Sequence, residues 1–135
     1  MREDYLVFGQ PLIEEEEIEE VVDSMRNCWL GTGPKVQRFE SDFRIYKNVK
    51  YSAAVNSCTA ALQLALQCLK LTIGDEVITT SMTFCATVNA IIHCGAKPVL
   101  TDINPITLNI DTEDIERRIT KKTKALVIVH FAGLS

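Results

Sequence analysis

Residues Tyr51–Leu66 read YSAAVNSCTAALQLAL, and the fold class turns on how this stretch divides. Tyr51–Val55 is a short apolar run of the kind that makes a buried strand. It breaks at Asn56-Ser57-Cys58-Thr59, a group of small residues rich in hydroxyls, and alanines, leucines and glutamines then suit a helix over Thr59–Leu69. A strand that turns sharply into a helix leaves the helix's first N–H groups and its positive dipole end at the carboxyl edge of a sheet. Such a place receives anions, phosphate among them. Ser57 and Thr59 would add hydroxyl donors there, although a serine before a helix also serves as an ordinary cap.

From residue 50 onward the apolar pattern alternates between strand-like and helix-like runs. It predicts strands at Tyr51–Val55, Glu76–Thr80, Lys97–Asp102 and Ala125–His130. Between them it predicts helices at Thr59–Leu69 and Phe84–Cys94, and a short one opened by Asp111 or Thr112 and containing Ile115 and Ile119. Turns fall at Gly74-Asp75, at Gly95 and around Pro105. Strands alternating with helices of this length give βαβ units, hence a parallel sheet with helices on both faces in a three-layer αβα arrangement. The strand cores are continuously apolar, as burial on both faces requires. Helix Thr59–Leu69 is apolar nearly all round and is expected to be buried.

Residues 1–49 form a helical lead-in ahead of the 50–135 βαβ region. Residues 1–11 read as extended, and Leu12 or Ile13 opens a helix with Glu14–Glu17 in its first turns, the favourable end for acid. Ile18, Val21, Val22 and Met25 give that helix an apolar face. A second helix begins near Pro34 and is striped by Val36, Phe39, Phe43 and Tyr46. The connection Trp29-Leu30-Gly31-Thr32-Gly33 is either a simple helix link or a loop offering an exposed Trp29 to a substrate.

The 135 residues are 47% hydrophobic with a formal net charge of −4 and a mean hydropathy near zero. There is material for a core, and the one short basic cluster, Lys121-Lys122-Thr123-Lys124, gives no footprint for nucleic acid. No apolar run has the length of a membrane span, and the acidic N-terminus does not read as a signal peptide. The five cysteines have no paired metal spacing and lie mostly in periodic apolar segments. They are read as reduced packing residues of a cytoplasmic protein, with no metal site.

In an open α/β sheet, ligands gather at the carboxyl ends of the strands. The predicted order places Ser57-Cys58-Thr59, Ser81–Phe84, Asp102 and His130 there. Phe84 begins a helix just past a strand, an odd position for an aromatic if packing alone mattered, and a ring there could lie flat on a planar ligand. Asp102 is a ligand group or a turn former before Asn104-Pro105. His130 is by default a hydrogen-bonded structural histidine. A nicotinamide-binding domain is disfavoured, because no G-x-G-x-x-G follows the first strand.

Six segments in register resemble the DegT/DnrJ/StrS family of pyridoxal-phosphate aminotransferases. They are Trp29–Pro34, Asn56–Leu62, Gly74–Ile78, Thr83–Ala90, Gly95–Val99 and Val129–Gly133. The resemblance implies the amino-terminal part of the large domain of the aspartate-aminotransferase-like fold. It implies that Ser57, Cys58 and Thr59 hold the cofactor phosphate, that Phe84 stacks on the pyridine ring, and that Gly31, Thr32 and Gly33 lie near the substrate entrance. It implies a keto-sugar nucleotide as amino acceptor, glutamate or glutamine as donor, a homodimer, and a place in amino-sugar and cell-surface polysaccharide biosynthesis. Family members are considerably longer. The aspartate that pairs with the pyridinium nitrogen and the Schiff-base lysine are expected downstream of Ser135, so the chain is expected to hold no catalytic residue and to be inactive alone. Lys50, Lys97, Lys121, Lys122 and Lys124 are placed at the amino edge of the sheet by strand order, and Lys47 and Lys70 return to it. Topology does not exclude Lys35. Two rivals stand beside this reading: the sugar dehydratase branch of the family, and a non-catalytic binding or regulatory homologue.

Overall fold

A computed structural model describes residues 9–135. The part of the expected extended lead-in that runs over residues 1–8 lies outside them. The chain divides into two compact units, one running to Ala54 and the other Val55–Ser135.

The first unit carries two helices, α1 (Glu15–Arg26) and α2 (Pro34–Tyr46). Helix α1 starts later than Leu12 or Ile13, because Glu14 is extended and serves as the cap residue, its N–H donating to the Glu17 carboxylate at 2.7 Å. Acid fills the first turn and Arg26 the last, matching the helix dipole. Pro34 is the first residue of α2, where its missing N–H costs nothing. The two helices are tied by ions: Lys35 pairs with Glu20 and Asp23, and Arg38 pairs with Glu20. Neither helix buries any residue; Val22 and Val36 are half-buried, and the rest of both apolar stripes lies open.

The second unit contains α3 (Cys58–Gln67), β1 (Glu76–Thr80), α4 (Cys85–His93), β2 (Lys97–Thr101), α5 (Thr112–Arg118) and β3 (Thr123–Val127), followed by a 3-10 turn at Phe131–Gly133. The sheet is wholly parallel with order β2-β1-β3. Successive strand residues point to opposite faces, and the core divides accordingly. Val77 packs with Leu66 of α3 and with Ala90 and Ile91 of α4, whereas Ile78 packs with Ile110 and with Ile115 of α5. Three layers result. The connection from β1 to β2 uses one face and the return from β2 to β3 the other, as crossovers of one hand require when the direction reverses.

Central strand β1 is buried along its whole length. Threonine hydroxyls stitch the sheet crosswise: Thr101 Oγ1 donates to the Thr79 carbonyl at 3.1 Å, and Thr79 Oγ1 to the Val127 carbonyl at 2.8 Å. Pro98 sits in β2, an edge strand among the described residues, where a missing N–H is tolerated. Gly74 and Gly95 close the turns with φ of +100° and +80°, values that a Cβ disfavours.

Five expectations are corrected. Tyr51–Val55 forms no strand: among the described residues no neighbour offers it a ladder, and the Ala54 N–H goes to the Glu40 carboxylate at 2.8 Å instead. Helix α3 is not buried as a whole; it packs through Leu62 and Leu66, with Ala60 and Gln63 half-buried, and leaves its other side open, Leu64 included. Strand β3 ends at Val127 rather than His130, and β2 at Thr101 rather than Asp102. Of the five free cysteines, Cys28, Cys58, Cys68 and Cys85 are exposed and only Cys94 is half-buried, so most are not packing residues.

Candidate functional site

Helix α3 runs into β1 at the amino edge of the sheet, and α4 leaves β1 at the carboxyl edge. The N-termini of both therefore stand at the carboxyl edge, as do the exits of β2 and β3. The sequence candidates of this unit, Ser57, Cys58, Thr59, Phe84, Asp102 and His130, all fall on that one edge. Gly31, Thr32 and Gly33 belong to the first unit.

At α3, Ser57 is the cap, extended at φ −160° with its Oγ accepting the Ala60 N–H at 3.1 Å. The first intrahelical bond runs from Ala61 N–H to the Ser57 carbonyl. Cys58 and Thr59 occupy the two positions between, whose N–H groups have no partner in the helix, and both side chains are exposed. The bland and the functional readings of Ser57 are thus compatible: its hydroxyl caps the helix, and the neighbouring N–H groups and the Thr59 hydroxyl remain to meet an anion.

Phe84 is the cap residue of α4, yet its side chain can accept nothing, and its ring is 77% exposed. Serine, threonine, aspartate or asparagine is the usual occupant of that position. Here a local rule is broken with no packing in return. Just before it, the Thr83 and Thr87 hydroxyls share a hydrogen bond of 2.7 Å, which fixes the first turn of α4.

Asp102 behaves as a turn former. Its Oδ1 accepts the next residue's N–H, from Ile103, at 2.8 Å, and its own N–H is held by Asp114 Oδ2 at 2.9 Å. Asp114, unremarked in the sequence, is a buried carboxylate that also takes Arg118 Nε at 2.6 Å. The Asp102 N–H first, and the Arg118 guanidinium next, hold its carboxyl below the usual range. His130 is exposed, and among the described residues nothing hydrogen-bonds its ring, so the expectation of a bonded structural histidine does not hold. What does hold this region is Asn109, whose side chain bonds Phe131 and Leu134. No local sequence signal marked Asn109, because its partners lie in a distant segment.

In the first unit, Trp29 Nε1 donates to the Thr32 carbonyl at 3.1 Å, which folds the glycine loop over the indole. Gly33 presses against that indole so closely that a Cβ would collide with it. Trp29, Gly31 and Gly33 line a cleft of about 400 Å³ together with Asp23, Asn27 and Lys35. Lys35 is no free amine: besides both carboxylates it donates to the Glu20 carbonyl at 2.6 Å. The hydrogen bond with Glu20, then that with Asp23, raises its pKa. Its amine is engaged by three acceptors of α1, which makes it the cation that ties α1 to α2. Lys97 and Lys124 stand at the amino edge, 3.3 Å from Glu76 and 3.9 Å from Asp75. Among the described residues no cluster of acidic, histidine or cysteine side chains could hold a metal ion.

The model of the DegT/DnrJ/EryC1/StrS aminotransferase family matches residues 11–135. A spore coat polysaccharide biosynthesis protein of Bacillus subtilis, SpsC, is 51% identical over 134 residues, 99% of this chain and 34% of its own length. Spr1654 of Streptococcus pneumoniae, provisionally called a sugar aminotransferase and solved in PMP, PLP and apo forms, superposes with a TM-score of 0.88 at 42% identity. That match covers 96% of this chain and 33% of the Streptococcus chain. An aminotransferase from Psychrobacter cryohalolentis superposes with a TM-score of 0.85 at 36% identity, covering 93% of this chain and 32% of its own. The chain spans about a third of the length of the curated relatives it matches.

Proposed function

The chain belongs to the DegT/DnrJ/EryC1/StrS aminotransferase family, and from that premise we propose that it supplies the amino-terminal part of the pyridoxal-phosphate domain of a sugar aminotransferase. The acceptor is a keto-sugar nucleotide and the donor glutamate or glutamine, and the whole enzyme works as a cytoplasmic homodimer. The observation that carries this reading is the pairing, on one sheet edge, of an anion-ready helix start with an exposed ring at Phe84.

The donor set fits the cofactor. The N–H groups of Cys58 and Thr59, without partners among the described residues, and the Thr59 hydroxyl match a phosphate, while the α3 dipole favours its charge. The Phe84 ring offers a flat apolar face for a planar heterocycle. When bound, pyridoxal phosphate supplies an electron-withdrawing ring that eases proton removal beside the transferred nitrogen. The residues of this chain bind and orient: α3 holds the anionic end, Phe84 fixes the plane, and the Asp102–Asp114 link steadies the loop leaving β2. The lysine that bonds the cofactor and the acid that faces its ring nitrogen are assigned to the remainder of the enzyme.

Thr59→Ala in a full-length enzyme containing this chain tests the anion site. Loss of a hydroxyl donor to a dianion costs about 1.5–3 kcal/mol, or roughly one to two decades of cofactor affinity. Cofactor release on dialysis reads it, and unchanged retention would place the phosphate elsewhere.

A further inference from the structure

Asn109 lies between β2 and α5, but its side-chain amide serves chain 22 and 25 residues away. Its Oδ1 accepts the Phe131 N–H at 2.8 Å, and its Nδ2 donates to the Leu134 carbonyl at 3.0 Å. A carboxamide carries a donor and an acceptor side by side. Asn109 thus acts as a one-residue strand neighbour for chain that has left the sheet at Val127.

The loop that presents it is braced. Asn104 N–H bonds the Asn109 carbonyl at 2.8 Å, and Leu108 N–H bonds the Asn104 carbonyl at 2.8 Å. Asn104 Oδ1 collects the N–H groups of Ile106 and Thr107. Ile103 and Ile110 form an antiparallel bridge, and Ile110 is buried against Ile78. One side of the loop is therefore anchored in the core, and the other grips the turn after β3. That turn needs a grip: Ala132 has a φ of +51°, a left-handed conformation an alanine adopts only at a cost.

Resting on the cofactor reading above, we propose that Asn109 is a positioning residue. It fixes the His130–Gly133 turn at the sheet edge that carries Thr59 and Phe84, and so sets where the exposed His130 ring stands at that edge. Removing the clamp loosens the turn without disturbing the sheet and lowers the capacity of the edge to hold pyridoxal phosphate.

Site-resolved amide exchange on the 135-residue chain at low concentration tests the clamp, with the β1 amides as internal control. Asn109→Ala should speed exchange at Phe131 about tenfold, the scale of one lost hydrogen bond, and leave Ile78 and Thr79 protected. Asn109→Asp keeps the acceptor and loses the donor, so Phe131 should stay protected while its bound-cofactor spectrum follows the alanine variant. The second readout, taken on a full-length enzyme containing this chain, is the absorption band of bound pyridoxal phosphate, whose binding should weaken roughly threefold in Asn109→Ala. Unchanged Phe131 exchange in Asn109→Ala overturns the clamp. Faster exchange with an unaltered cofactor band and affinity overturns the positioning role. Absence of any cofactor binding by that unsubstituted full-length enzyme, with the exchange pattern as expected, counts against the cofactor reading and not against the clamp.

Discussion

Helices α1 and α2 and the α3–β1–α4 layer are written in the same apolar vocabulary, and they end in opposite environments. Val21, Met25 and Phe39 are 61%, 62% and 58% exposed, whereas Val77, Ile78 and Ile91 are fully buried. Periodic apolar residues state that a face requires cover; they do not state that the cover lies within reach along the chain. In the second unit the cover arrives within about thirty residues, through two βαβ crossovers. In the first, two helices of 12 and 13 residues are held by ion pairs at one side, although helices of that length owe most of their stability to packing.

Core truncation should draw the contrast most sharply. Ile91→Ala removes a fully buried side chain from the Val77 face and should cost about 2–5 kcal/mol. Met25→Ala, on the open face of α1, should stay within about 0.5 kcal/mol. Urea titrations of both variants check this. A large, concentration-dependent cost for Met25→Ala would show that the α1 face is covered in solution by another molecule, and the contrast between the units would then describe the isolated chain only.

The ionic groups repeat the contrast. Glu20, Lys35 and Arg38 form an open surface cluster, where ion pairs contribute little and salt screens them. Asp114 is buried, takes a backbone N–H and anchors the loop after β2. Its carboxyl is held below its ordinary value of 3.8, first by the Asp102 N–H and then by Arg118. A depressed folded pKa gives stability that is present above the unfolded value and is lost as pH falls through the folded one. Unfolding followed below about pH 4 should show this loss, and Asp114→Asn should flatten that part of the profile. An unchanged acid limb in the variant would remove Asp114 from the account. Raising salt at neutral pH should affect the α1–α2 cluster and leave the Asp114 contribution in place.

What could be read in advance follows the same division. Strands β1 and β2 were legible because continuous apolar runs met glycines at the turns, Gly74 and Gly95, and both glycines take positive φ. The cap at Ser57 was legible because capping is local. The strand expected at Tyr51–Val55 was not, since a strand belongs to a pair and its partner is absent from the described residues. Asp114 and Asn109 escaped notice for a related reason. A carboxylate on a short helix and an amide in a loop look like solvated surface until chain 12 to 25 residues away brings them backbone groups. Phe84 was legible through its oddness, an aromatic where a capping side chain belongs.

Phe84 yields an expected change in stability as small as that of Met25, and the sharpest use of it. Most residues that contribute to the fold of the second unit are buried, but this ring is 77% exposed at a helix start and accepts no capping bond. If packing were its purpose, Phe84→Leu would remove contacts and lower the melting temperature. The exposure denies it those contacts, so the change in stability should stay within about 0.5 kcal/mol. A ring lying on a planar heterocycle contributes through stacking and burial of that ligand, about 0.5–1.5 kcal/mol beyond area alone. Leucine keeps the apolar surface and loses the flat face. The variant should therefore unfold at the wild-type temperature, while the absorption band of bound pyridoxal phosphate shifts and its affinity falls several-fold. A lowered melting temperature with an unaltered band would return Phe84 to the packing residues and leave the anion-ready start of α3 as the only support for a cofactor at this edge.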